Sequence, residues 1–350
     1  FSDGVAALVE SHTRPALARL RETLADSSLP AARDDDRPGL LHRSDGEAEY
    51  AEALAAHTRP GLEAGAIHAI GLEQLARLDG EWARYGQQQF GVSDPSEVRR
   101  CTASLPGRTS ADEVKRDAEA IFTASEAEAP KWFNRVPEST CEIRTTVHGS
   151  LAFYSPPKPE LGHPARTYFN VQDPTAWGPQ LAATTVHEGI PGHHYQAALA
   201  LEDQSLHEMH RKLFLTAYGE GWALYVEQIG MEMGLYPTPI DLLGMLQSDA
   251  LRATRLVVDT GLHAMGWTRQ HAIDTMVERT ALGLSECTAE VDRYIAMPGQ
   301  ATSYTTGRLA IERLRDDADR RLGDGFDIAA FHDVVLSNAM LALDSLESRV

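Results

Sequence analysis

Three cysteines, Cys101, Cys141 and Cys287, are too few, too scattered and too odd in number for a disulfide framework or a thiolate metal site. Their scarcity points to a reducing compartment, so a cytoplasmic location is expected. Basic residues are also in short supply, with 32 Lys and Arg against 51 Asp and Glu and a formal net charge of −19. Phosphate binding needs clustered cations, which argues against a nucleic-acid partner. Charges interrupt every apolar run, and no membrane span is expected. The chain starts at Phe1 without a methionine, which leaves room for a signal or a longer region ahead of it. What is present, 43% hydrophobic and 24% charged residues over 350 positions, is globular composition with ample core for one large domain or two ordinary ones.

Most of the chain reads as helix. Residues 3–25 suggest one or two helices, 27–39 a polar loop, and 45 to about 55 another helix. Over 64–89 the apolar positions Ile67, Ile70, Leu72, Leu75, Leu78 and Trp82 recur every three or four residues, which predicts a long amphipathic helix bent at Gly71. Residues 110–132 open with a capping Ser110 and an acidic first turn. STCEIRTTV (139–147) and ARTYFNVQD (165–173) are rich in β-branched and aromatic residues and predict a small sheet, with a loop between them. From Leu181 onward helix resumes, broken near Gly192, 237–239, Gly283 and 298–299. The expected fold is mainly α with a small β-sheet.

One stretch carries chemistry. TTVHEGIPGHHYQ (184–196) packs His187, Glu188, His193 and His194 around Gly189, Pro191 and Gly192. Close imidazoles beside a carboxylate suit a divalent ion such as zinc. In the usual HExxH helix the histidines stand one turn apart, but here that position is Pro191. On a straight helix His193 would sit about 240° away from His187, and His194 roughly 10 Å along the axis. A Pro-Gly bulge would return His193 to the face of His187, so His187 and His193 are the expected ligands and His194 the reserve. A second His-Glu pair, His207–Glu208, lies in a polar segment and is read as a decoy.

The third ligand is expected from 212–234, apolar around nearly its whole circumference and therefore buried. Glu220 and Glu227 lie seven residues apart on one face of it, and a buried carboxylate needs a partner. Glu220 stands between Gly219 and Gly221, where other backbone or a metal could approach closely. Two histidines from one segment and a glutamate from the next helix leave a fourth position open for water, with Glu188 placed as general base. The plain alternative for Glu220 is a salt bridge to a core arginine.

HEGIPGHHYQ, EGWALYVEQIGMEMGLY, RATRLVVDTGLHAMGW and YIAMPGQATSYTTGRL together resemble the bacterial domain-of-unknown-function family 885. The likeness runs over about 48–345 and implies a gluzincin-like helical metallohydrolase fold, an active-site helix beside the sheet, and one Zn2+ ion. It also implies an N-terminal helical segment over 1–47, the remnant of a longer region, ahead of a single metallopeptidase-like catalytic domain over 48–350. The HExxGH motif of the dipeptidyl-peptidase III type is similar, and aligning its Gly-His with Gly192 and His193 favours His193.

Further residues fit such a site. Arg252, Arg255, Asp259 and His263 form a polar stripe between apolar flanks on one helix. Arg252 or Arg255 could bind a substrate carboxylate, and His263, oriented by Asp259, could donate to an oxyanion; a helix-surface charge network is the alternative. Arg293 and Tyr304 flank a Pro-Gly turn, and Tyr304 resembles the oxyanion-stabilising tyrosine of related helical zinc carboxypeptidases. Tyr168 and Asn170 are expected on an edge strand that pairs with an extended substrate. The expected function is zinc-dependent hydrolysis of a peptide or small amide. A lyase or other tailoring enzyme on the same scaffold, or a non-catalytic binding protein, is the alternative.

Overall fold

The structure, a computed structural model, describes residues 2–158 and 162–350. Helices α1 (Ser2–Leu8) and α2 (Arg14–Thr23) form one exposed rod joined by a π-type turn, and helical turns continue to Ala31 through the start of the expected loop. α3 (Gly46–His57) buries Tyr50 and Leu54. α4 (Ala64–Phe90) runs unbroken through Gly71, which lies against Leu256 and Val257 of a later helix. α5 (Pro95–Ala103) and α6 (Ala111–Glu128) begin where Asp94 and Ser110 accept bonds from the Glu97 and Glu113 amides.

The sheet has three strands, β1 (Cys141–Thr146), β2 (Ala152–Ser155) and β3 (Ala165–Asn170), in the order β1-β3-β2. β3 pairs parallel with β1 and antiparallel with β2. It buries Ala165, Thr167 and Phe169 on one face, the alternation a strand requires. β2 lies in the segment expected as loop; its four half-buried residues are too few to display that alternation. Its presence makes β3 the central strand, so Tyr168 and Asn170 are not on an edge.

The C-terminal half comprises α7 (Leu181–Glu188), α8 (His193–Glu202), α9 (Glu208–Lys212), α10 (Thr216–Glu232), α11 (Pro239–Ala264), α12 (Arg269–Arg279), α13 (Leu284–Ala296), α14 (Ser303–Leu322), α15 (Ile328–Leu336) and α16 (Leu343–Glu347). α11 lies along α4, and α10 along α14. A Cβ on Gly221 would meet the Gly307 backbone at 2.5 Å, and one on Gly307 would meet the Ala217 carbonyl at 1.8 Å. Glycine facing glycine therefore sets how near α14 comes to α10. α10 starts at Thr216, later than expected, and Leu213 and Phe214 lie exposed ahead of it. The core runs between these helices and the sheet, with Trp82, Trp177, Trp222, Tyr195, Tyr218 and Phe169 fully buried. Among the described residues no helix is long and apolar enough to cross a membrane.

Candidate metal centre

α7 stops at Glu188, the chain turns through 189–192 with a cis Ile190–Pro191 bond, and α8 restarts at His193. Pro191 has no N–H to continue a helix. Gly192 is required by the turn: a Cβ there would fall 1.9 Å from the His187 carbonyl oxygen. The Trp222 indole N–H holds the turn from below, donating to the Pro191 carbonyl at 2.9 Å. The helix is thus deformed where the sequence demanded it, and the His187 and His193 rings come to 4.8 Å between centroids, nearly perpendicular at 88°.

Glu220 on α10 completes the cluster. Its Oε2 lies 3.5 Å from His187 Nε2 and 3.3 Å from His193 Nε2, and the three ligand atoms fall within 4.8 Å of one another. Ligand bonds of about 2.0–2.1 Å in a tetrahedral site place neighbouring donors roughly 3.3 Å apart, so two histidines and a carboxylate at this spacing could hold a metal ion. Burial would push the His187 imidazole down, but Glu220 and Glu227 outweigh it and raise its pKa to about 9. Burial would likewise raise the Glu220 carboxyl, yet His193 and His187 hold it well below the usual carboxylate range. His194 faces away from the cluster. Its ring nitrogens meet the Tyr154 hydroxyl at 3.3 Å and the Ser139 carbonyl at 3.1 Å, and burial lowers its pKa to about 4.

Glu227 is the residue that sequence reasoning left without a role. Fully buried, its Oε1 lies 2.7 Å from His187 Nδ1, while Ser248 Oγ donates to its Oε2 at 2.5 Å. It fixes the ring so that Nε2 faces Glu220, the carboxylate–histidine pairing that orients metal ligands. The signal was the seven-residue spacing from Glu220 on a buried helix. Glu227→Gln is expected to weaken metal affinity about 10–100-fold, measured by competition against a chromophoric chelator; an unchanged affinity would reduce Glu227 to core packing.

The cluster opens on a cavity of about 740 Å³ whose lining includes Glu188, Ala152 to Tyr154 of β2, Tyr304, Arg252, Arg255 and Arg293. No side chain among the described residues bonds the carboxylate of Glu188, a residue that is itself 8% exposed. Tyr304 enters at the start of α14, carried there by the Gly221–Gly307 crossing, with the Arg255 guanidinium 4.5 Å over its ring. Burial and the nearby Glu220 raise the Tyr304 pKa, so its hydroxyl stays a donor.

Three expected residues lie elsewhere. His263 is eleven positions beyond Arg252, about 16 Å along a helix axis. Its Nδ1 accepts from the Leu40 amide at 3.2 Å and its Nε2 meets the Tyr294 carbonyl at 3.0 Å, so it bolts the N-terminal part to α13 and has no donor for an oxyanion. Nor does Asp259 orient it. That carboxylate accepts from Tyr50 at 2.6 Å and from the Gly299 amide at 3.0 Å, and burial raises its pKa to about 7. Tyr168 stacks on Phe153 at 4.8 Å, and Asn170 donates to the Gly149 carbonyl at 3.0 Å; the edge strand beside the cavity is β2. The decoy His207 caps α9 by accepting from the Met209 amide at 3.2 Å.

Fold and site together define a mainly helical protein with a small mixed sheet and a buried two-histidine, one-glutamate cluster able to hold a metal ion. Within that class the chain belongs to DUF885, a family of bacterial proteins of unknown function, which it matches over residues 2–350. Two similar solved structures are each described as a "putative lipoprotein". The one from Colwellia psychrerythraea has a TM-score of 0.92 and 34% identity, covering 97% of this chain and 60% of its own. The other, of unknown function, from Shewanella oneidensis, has a TM-score of 0.75 and 22% identity, covering 99% of this chain and 65% of its own. The chain thus spans less than two thirds of either. An M32 carboxypeptidase from Deinococcus radiodurans R1 is more distant, with a TM-score of 0.47 and 14% identity over 86% of this chain and 65% of its own. No curated protein matches.

Proposed function

We propose that this protein is a zinc-dependent hydrolase of peptide or amide bonds with Glu188 as its general base. The observation that carries the reading is an unpartnered carboxylate, Glu188, sharing one cavity with the His187–His193–Glu220 cluster. Two imidazoles and a carboxylate are a borderline-soft donor set that suits zinc, in the gluzincin manner of two histidines from one segment and a glutamate from the next helix. When bound, zinc supplies a Lewis acid that polarises a carbonyl and acidifies water. Glu188 takes the proton of the attacking water and passes it to the leaving nitrogen. Tyr304, kept protonated, donates to the oxygen on which charge develops. β2, with its outer edge unpaired among the described residues, offers backbone groups to an extended substrate, the role first expected of Tyr168 and Asn170. The lipoprotein description of two relatives supports action at the cell envelope rather than in the cytoplasm.

Stripping the protein with a chelator and restoring one equivalent of zinc tests this. Hydrolysis of a peptide pool with blocked N-termini and free C-termini in ¹⁸O-water should follow bound zinc and place one solvent oxygen in each new carboxylate. Product without solvent oxygen would indicate a lyase, and a chain that neither binds metal nor turns over any peptide would be a binding protein.

A further inference from the structure

One end of the cavity carries three arginines, Arg252, Arg255 and Arg293. Arg255 spends its Nε and Nη2 on Glu290 at 3.1 and 2.8 Å, with Nε also 3.1 Å from the Tyr294 hydroxyl. Its Nη1 is buried with no acceptor in the protein. One turn earlier on α11, Arg252 places Nη1 on Ser248 Oγ at 2.6 Å and keeps a buried Nε without a partner. Both guanidiniums lie over the Tyr304 ring, at 4.5 and 6.0 Å. Arg293 joins Arg255 on Glu290, at 3.0 Å, and donates to Gln300 at 2.6 Å. Burial would raise the Glu290 carboxyl, but these two arginines hold it well below the usual range, so it is ionised.

Three guanidiniums at this end face three carboxylates, the buried Glu227, the part-buried Glu290 and the exposed Glu286. Glu286, at the exposed mouth, is engaged with the Gly283 amide at 3.0 Å. Two buried donors, Arg255 Nη1 and Arg252 Nε, are left over, and orphaned buried donors are costly unless a ligand satisfies them. A single carboxylate meets this demand, because it carries two acceptor oxygens that suit a pair of guanidinium N–H groups.

We infer that the Arg252–Arg255 end of the cavity is a subsite for a substrate's free carboxylate, which makes the enzyme exo-acting on peptides or N-acyl amino acids. Distance sets how much is released. Arg252 Nη2 lies 3.8 Å from Glu227 Oε1, which itself lies 2.7 Å from His187 Nδ1, so arginine and metal ligand share one carboxylate. An extended chain covers about 3.3–3.6 Å per residue, so a carboxylate held this close to the cluster belongs to a terminus near the bond that is cut. Leu251, Leu282 and Ala289 line the same end and suit an apolar terminal side chain. The inference rests on the hydrolase reading for which bond is cut, but not for where the carboxylate binds.

Calorimetry of the zinc-loaded protein with N-acetyl-leucine and N-acetyl-leucinamide tests the subsite without turnover. The acid should bind at least about tenfold tighter, the gain of roughly one charge-assisted hydrogen bond. Arg255→Met should abolish that preference. Arg252→Met should reduce it, and carries the test if the first variant fails to fold. Equal binding of acid and amide, no binding of the acid at millimolar concentration, a preference unchanged in the folded variants, or tighter binding of inorganic phosphate would each overturn the inference. The two readings fail separately. Acid preference without hydrolysis of any blocked dipeptide keeps the subsite and sinks the hydrolase, while equal cleavage of blocked dipeptide acids and amides does the reverse.

Discussion

Glu188→Gln should leave metal content unchanged and lower kcat by about 10²–10⁴-fold, the range a positioned general base contributes. Several observations make this a discriminating substitution. The Glu188 side chain bonds no other side chain among the described residues, so removing its charge should break nothing that holds the fold. It follows directly on His187, yet α7 ends there and the chain turns away, so the carboxylate borders the cluster without joining the three ligand atoms. Gln keeps the volume and loses the ability to accept a proton. Metal analysis beside kcat on one preparation separates the outcomes. Full turnover would remove Glu188 from the chemistry, and loss of metal together with turnover would make it a ligand.

The second large effect separates neighbouring histidines. His193→Ala should abolish stoichiometric zinc at micromolar concentration, whereas His194→Ala should keep it. Losing His193 leaves Glu220 with one imidazole in a buried site and removes a third of the donor set. A metal that binds only the folded state adds about 4 kcal/mol of stability at a concentration 1,000-fold above its Kd. Zinc should therefore raise the Tm of wild type and of His194→Ala, and leave that of His193→Ala where it was. His194→Ala should itself melt lower than wild type, since it loses the contacts to Tyr154 and Ser139. Zinc retained by His193→Ala and lost by His194→Ala would reverse the ligand assignment.

The His187–His193–Glu220 cluster was legible because its constraints are local. Pro191 cannot continue a helix and Gly192 admits a turn that no side chain allows, so the motif itself announces a break between Glu188 and His193. Glu220 was legible because a carboxylate on an otherwise apolar helix must have a partner. His263 was not, because the same polar stripe on α11 serves two neighbourhoods. Its Arg252–Arg255 end faces the cavity, and its Asp259–His263 end faces Tyr50, Leu40 and the Gly299 turn. Periodicity shows which face a residue takes, but not what packs against that face 16 Å further along.

Sequence by itself determined a mainly helical chain, a small sheet ahead of the histidine motif, the broken helix, and the identity of a two-histidine, one-glutamate cluster. Each follows from residue chemistry acting within one or two turns of chain. Tertiary structure alone decided that Glu227 orients His187, that β2 and not β3 is the strand beside the cavity, and that two arginines keep unspent donors at one end of it. Those facts depend on helix crossings and strand order, which are set by contacts between segments tens to hundreds of residues apart.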